Sequence, residues 1–290
     1  LFVVAGAFSL YGSTRDANRM PAPDEIRTAN ARAVAQATEA DVFRPYPRWF
    51  ADARFELGAL PVLMADPVDT WELLNKRRLL QLVVRDYLDD ANAEADALGA
   101  SHIETLHEGE RYLVRALTLP SSRPELLWDG IDAVRDADVT QRTTDGAAIE
   151  CSLWRNEAWH CGRPNAYINV GAGHREMGDE NPRRVITMAA PEAGAHWVIA
   201  WEDVPSAGAT LRFRAGNEFS AIRSDRGSPV EFAALIDGAE VFRRTWGIHE
   251  TGFEAFEFTL PDAPTADLVF EMRADDHFDR FFGFRPQIVR

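Results

Sequence analysis

The chain has 290 residues, 46% of them hydrophobic and 27% charged, with a formal net charge of −15. That length allows two modest domains with real cores, and that balance belongs to a folded chain, not a disordered one. The acidic excess excludes a nucleic-acid binder, which needs a basic footprint.

The chain opens on LFVVAGAFSLYG, apolar from Leu1 to Gly12, with charge beginning only at Arg15. As a helix this run covers about 18 Å, short of a hydrocarbon core of about 30 Å. Two readings follow. It is the end of an anchor or signal segment, in which Ala5-Gly6-Ala7 has the small-residue form of a cleavage site, or it is an N-terminal core strand. The first is expected. It makes residues 1–20 an anchor or signal remnant with a linker, and puts the protein on the periplasmic or extracellular face of a bacterial membrane.

Residues 21–138 read as a helical domain. Pro21 to Ala40 has prolines at its entry, acids in its first turn and then an alanine-rich run. FRPYPRWF (Phe43 to Phe50) is an extended aromatic connector, because Pro45 and Pro47 forbid helix. Asp66-Pro67 resembles an N-cap followed by a first-turn proline, and from Leu80 to Leu98 an apolar stripe runs at helical spacing through Val83, Val84, Tyr87, Leu88, Ala91 and Ala95. Gly109 to Pro120 fits strand or short helix. Ser122-Arg123-Pro124-Glu125 is a capping-box pattern that predicts another short helix, and polar residues from Asp138 to Ala147 carry the domain boundary.

Both cysteines lie in IECSLWRNEAWHCG, Ile149 to Gly162. A polar Arg155-Asn156-Glu157 between two apolar runs predicts a hairpin with a three-residue loop. Centred on Asn156, that register opposes Trp154 to Ala158, Leu153 to Trp159 and Cys151 to Cys161. Directly opposed β-carbons lie roughly 4.5–5.5 Å apart, close to what a disulfide needs. A disulfide is therefore expected, with two reduced core thiols or a metal site as alternatives. In this register Trp159 joins the cysteines on the core face, while Trp154 and His160 share the exposed one.

From about Ala147 to Arg290 short apolar runs recur between Gly, Pro, Asn and Asp, the spacing of an antiparallel β-sandwich or jelly roll. Asp237-Gly238 between two strand-like runs is a type I′ hairpin signal. The fold expected for the whole chain is thus α+β and multidomain, an N-terminal helical domain followed by a jelly-roll-like antiparallel β-sandwich over residues 147–290. PVEFAALIDGAEVFRRTWG, GFEAFEFTLP and ADLVFEMRADDHFDRFFGFRPQIV, with the Cys-x-x-Trp and Trp-x-Cys elements and Trp201-Glu202-Asp203-Val204-Pro205, resemble carbohydrate-binding-module-like sandwiches of bacterial membrane-anchored envelope proteins. The resemblance covers residues 147–290 alone.

A sugar site needs an exposed aromatic platform beside planar polar groups. The candidates are Trp154 with His160, Trp197, Trp201 and Trp246, with Asp275, Asp276, Asp279 and Arg280 as polar neighbours, while Trp159 is assigned to the core. Asp275, Asp276 and Asp279 in RADDHFDR are candidate calcium ligands, calcium being the one cofactor suggested, although no EF-hand loop surrounds them. Serine-hydrolase, zinc-protease and nucleotide-binding motifs are absent. The best acid–base cluster is GAGHREMGDENP, read as a loop carrying His174, Glu176, Asp179 and Glu180.

The expected role is non-catalytic: a scaffold or accessory subunit of a membrane-associated assembly, anchored through its N-terminus, with other subunits as partners and an apolar patch around FRPYPRWF for them to cover. The alternative is glycan binding by the sandwich, which requires Trp154 or Trp201 to be exposed. A further alternative is an envelope hydrolase using the His174 loop.

Overall fold

A computed structural model of the protein describes residues 21–47, 57–58, 60–65, 67–68, 70–161, 169–189, 195–276 and 279–290. The chain divides into two compact units between Arg123 and Pro124.

In the first unit, Pro23 opens α1 (Pro23–Gln36), and the Glu25 carboxylate accepts the Ala22 N–H at 2.7 Å. That satisfies one of the donors a helix start leaves over. Strands β1 (Asp41–Tyr46), β2 (Arg78–Val84), β3 (His102–Glu108) and β4 (Tyr112–Thr118) form a four-stranded sheet in the order β1-β2-β4-β3. The β1–β2 pair is parallel and the others antiparallel. Ile26, Ala29 and Ala33 of α1 bury against Leu80, Leu82, Val84, Val114 and Ala116. The second helix, α2 (Leu88–Ala97), places Ala95 with Val42, Leu79 and Leu117, and Ala91 with Val83 and Leu113. Alternate residues of β2 thus serve two helices on opposite faces of the sheet.

This unit is mixed α/β, which corrects the expected helical domain. The helix foreseen over Leu80–Leu98 is confined to Leu88–Ala97; Leu80, Val83 and Val84 lie on β2. A strand buried on both faces needs apolar residues at almost every position, and LLQLVV then satisfies a helical template by crowding. Pro67 lies outside any helix, and Asp66 lies outside the described residues. FRPYPRWF is extended where described, Phe43–Tyr46 being part of β1, with Phe43 fully buried; residues 48–50 lie outside the described set. So do residues 1–20, on which the anchor expectation falls. Among the described residues no helix is long and apolar enough to cross a membrane.

The second unit contains β5 (Leu126–Asp129), β6 (Asp138–Arg142), β7 (Ala148–Glu150), β8 (Leu153–Arg155), β9 (Ala158–His160), β10 (Val170–Glu176), β11 (Pro182–Ala189), β12 (His196–Pro205), β13 (Thr210–Asn217), β14 (Val230–Ile236), β15 (Ala239–Trp246), β16 (Glu254–Thr259), β17 (Thr265–Ala274) and β18 (Phe281–Val289). They form two antiparallel sheets, one of eight strands (β16-β13-β18-β11-β10-β9-β8, with β5 also on β18) and one of six (β15-β14-β17-β12-β6-β7). The inner faces meet in an aromatic core. Phe213 and Phe284 of the larger sheet approach Phe232 of the smaller at 6.0 and 5.2 Å, and Phe284 lies 4.9 Å from Phe270. The sandwich expected after Ala147 is present, and it begins earlier: β5 and β6 already belong to it. Glu125 and Arg290 exchange both backbone hydrogen bonds at 2.9 Å, so a strand start stands where the capping-box pattern predicted a helix. Beyond β13 the chain forms the short helix α3 (Phe219–Ile222).

Two hairpins show how turn chemistry sets register. Asp237 (φ 49°) and Gly238 (φ 74°) make the expected two-residue left-handed turn. Asn156 (φ 52°) and Glu157 (φ 59°) make another where a three-residue loop was expected. The ladder therefore opposes Trp154 to Trp159 and Leu153 to His160, one residue away from the expected pairing. Cys151 and Cys161 are disulfide-bonded, as expected, but not as ladder partners. Cys151 follows β7 of the six-stranded sheet and Cys161 follows β9 of the eight-stranded sheet, so the bridge ties the two layers where the chain crosses between them.

Candidate functional site

The one-residue change of register reassigns the aromatic candidates. Cross-strand partners share a face, so Trp154 and Trp159 lie together, 5.2 Å apart edge to face, and pack on the core. His160 takes the other face and is only 6% exposed, with Nε2 3.3 Å from the Arg155 carbonyl. The expected exposed pair of Trp154 and His160 is not formed. Trp201 is 4% exposed and donates to the Ala133 carbonyl at 2.9 Å; Trp246 is fully buried among Phe232, Phe242 and Phe282. Neither can offer a ring to a sugar. Trp197, also fully buried, donates to Ala189 O at 2.7 Å.

The other candidates disperse as well. Among the described residues no three His, Cys, Asp or Glu converge as metal ligands, Asp275, Asp276 and Asp279 included. Asp279 accepts from Ser224 Oγ at 3.0 Å and lies 4.0 Å from Arg226. The adjoining Arg280 is buried and donates to the carbonyls of Ala221, Ser224 and Ile248, a clamp on the loop. His174 and Glu176 lie on β10, not on a loop. Asp179 is held by Arg183 at 2.6 Å in the turn beyond. Among the described residues the exposed large hydrophobics are Val34, Ile103, Ile149 and Leu153; residues 48–50, part of the segment expected to carry an apolar patch, lie outside the described residues.

The site that geometry does assemble lies on the outer face of the six-stranded sheet. Registry places residues in rows across β15, β14, β17, β12 and β6. One row runs Arg243, Ala233, Glu271, Val198, Thr140; the next runs Thr245, Glu231, Arg273, His196, Arg142. Ala233 is the short side chain among long ones, and the result is a depression of about 130 Å³ lined by His196, Glu231, Ala233, Arg243, Glu271 and Arg273. Glu231 is fixed at one end by Arg243 at 2.5 Å and faces Arg273 Nε at 3.7 Å. Arg243 is itself held by Glu240 at 2.5 Å. By contrast, the side chains of His196, Glu271 and Arg273 make no hydrogen bond within the protein among the described residues. The His196 imidazole is held below its ordinary value of 6.5, first by burial and then by Arg142 and Arg273, with Glu271 pulling the other way. Near neutral pH it is uncharged, offering one donor and one acceptor.

No protein-family model and no curated protein matches this sequence. Solved structures that resemble it include carbohydrate-binding modules. A CBM51 from Clostridium perfringens GH95, in complex with methyl-galactose, is 12% identical over 66% of this chain and 94% of its own, with a TM-score of 0.29. The xylan-binding module CBM15 is 9% identical over 52% of this chain and 90% of its own, with a TM-score of 0.27. TmCBM61, in complex with a galactotriose, is 10% identical over 41% of this chain and 79% of its own, at 0.26. Likeness at these scores says nothing of a ligand for this chain.

A second polar group stood out nowhere in the sequence. Glu218, just past β13, is buried, and burial pushes its carboxyl up to about 7 against the pull of Arg175, whose Nε lies 3.4 Å away. It sits beside a tight backbone crossing: a β-carbon on Gly216 would come within 2.4 Å of the Gly252 carbonyl, so only glycine fits there. The arrangement is an internal acid at one end of the eight-stranded sheet.

Proposed function

We propose that the sandwich is a non-catalytic glycan-binding module that takes a sugar residue in the depression around Ala233. One observation carries this reading: His196 and Glu271 converge there with no side-chain hydrogen bond among the described residues, beside Arg273, whose Nε reaches Glu231 only at 3.7 Å. A carboxylate, a guanidinium and a neutral imidazole are planar groups suited to neighbouring sugar hydroxyls, and Arg and carboxylate bind such pairs with two bonds each. The sheet supplies no aromatic platform on this face, so recognition is by hydrogen bonds. The volume is small beside the roughly 300–1,000 Å³ of a site that engulfs a drug-sized ligand. It suits one ring edge or substituent of a glycan that stays largely in solvent.

An extracytoplasmic setting belongs to the same proposal. The Cys151–Cys161 bridge supports it, since disulfides persist in oxidising compartments. Fractionation of native cells, with trapping of free thiols before lysis, tests the setting; a cytoplasmic, reduced protein would remove it.

The binding test is a glycan array followed by calorimetry on the full chain, with His196→Ala and Glu271→Ala. Both variants are expected to lose binding while keeping the parent melting temperature. Undiminished binding by both would move the site elsewhere.

A further inference from the structure

The residues around the depression are not electrically even, and their order specifies more than a generic sugar. Arg273 of β17, His196 of β12 and Arg142 of β6 are direct cross-strand neighbours in one row. Neighbouring strands lie about 4.8 Å apart, so the two guanidinium-bearing positions flank the imidazole with roughly 10 Å between their backbones. Arg273 is 60% exposed, and its one acidic neighbour in the row, Glu231, is already bound by Arg243 at 2.5 Å. Arg142 is exposed at the end of β6. In a chain of net charge −15, this row carries two arginines against one glutamate. Beside the row, Glu271 occupies the next position on β17 that faces the same way.

We propose that the sugar bound in the depression carries a carboxylate, seated across Arg273, His196 and Arg142 while its ring hydroxyls face Glu271. The inference rests on the glycan-binding reading of this face and narrows it to uronate-bearing glycans. The chemistry follows from the groups present. A guanidinium meets a carboxylate with two parallel N–H···O bonds, and imidazole N–H supplies a third donor between the two arginines. The volume of about 130 Å³ accommodates a substituent of this size on a ring that remains outside. A neutral sugar in the same place would leave both guanidinium groups hydrated and gain little from them.

Protonation adds a signature. The charged or titratable groups facing His196 are Arg273 and Glu271 from β17 and Arg142 from β6, and Glu231 lies one strand further. An ionised ligand carboxylate favours the imidazolium that the arginines disfavour, so binding takes up a proton. Affinity for the acid therefore rises as pH falls through the titration of His196.

The experiment uses trigalacturonate, its fully methyl-esterified form, and a sulfated galactose trimer, titrated into the full chain by calorimetry at low and high salt. The expected result is that the acid binds at least about tenfold more tightly than the ester. Added salt should weaken the acid alone, and Arg273→Ala and Arg142→Ala should each erase most of the difference without changing the melting temperature. Lowering the pH should tighten the acid and not the ester, and His196→Gln should remove that dependence. Equal affinity for acid and ester overturns the inference and leaves glycan binding standing. Preference for the sulfated trimer over the uronate overturns the carboxylate assignment in the same way. Failure to bind these three while neutral glycans bind on an array overturns the inference alone; no binding to any glycan overturns both readings.

Discussion

The two faces of the six-stranded sheet are built from the same few strands and share almost no chemistry. On β14, Glu231 and Ala233 face outward while Phe232 lies in the core; on β17, Glu271 and Arg273 face outward while Phe270 and Met272 lie inside; on β12, His196 faces out beside buried Trp197. A period of two separates the apolar core from the charged outer face at single-residue resolution. The inner set is aromatic and interlocked, with Phe232 alone touching Phe213, Trp246, Phe270, Phe282 and Phe284. The outer set is charged, and much of it is only half-buried.

Substitutions on either face can break that division. The largest effect is expected from Phe232→Ala, which removes a fully buried ring that packs against the opposite layer and should cost roughly 3–5 kcal/mol in denaturant titration. A loss below about 1 kcal/mol would mean the two sheets are not packed through this residue.

Glu218 violates the division, being an acid inside. Its unfolded carboxyl titrates near 4.5 and its folded one near 7, so the folded state holds an extra proton between those values. Its contribution to stability is complete below about pH 4.5 and lost as pH rises through about 7, on the order of 3 kcal/mol at about 1.4 kcal/mol per unit. Glu218→Gln should flatten that stretch of the stability–pH curve and raise stability at pH 8; an unchanged curve would show the carboxyl to be well solvated.

The seam between the layers comes next. Replacing both Cys151 and Cys161 by Ala frees a loop with a sequence separation of 10 residues and should cost about 2–3 kcal/mol. The smallest effect belongs to the outer face. Glu271→Ala and Arg243→Ala should each change stability by less than about 1 kcal/mol, because exposed ion pairs contribute little. A large loss from Glu271→Ala would make this face structural instead of recognitive.

Legibility in the sequence follows the same logic. The back half was readable because its strands alternate and its turns are chemically explicit, Asp237-Gly238 being the clearest. The front half was not. β2 is covered on both faces, and a continuous apolar run has no period to read. The hairpin at Trp154 failed by one position, since Asn156 and Glu157 both adopt left-handed backbone that the residue types only weakly advertise, and one position was enough to exchange its faces. The candidate site was hidden for a further reason. Aromatic residues attract attention in sequence, yet here they build the core, whereas His196, Glu231, Arg243, Glu271 and Arg273 come from four strands and become neighbours only through register.

The reciprocal hydrogen bonds between Glu125 and Arg290 bring the first and last strands of the sandwich side by side and antiparallel. Under tension, a pull that separates these two ends therefore loads the β5–β18 ladder one bond at a time, like a zipper, instead of shearing it. β5 would peel at low force, and the aromatic interior and the outer face opposite would stay assembled. A sandwich held by these two ends therefore yields at its first strand before it yields at its core.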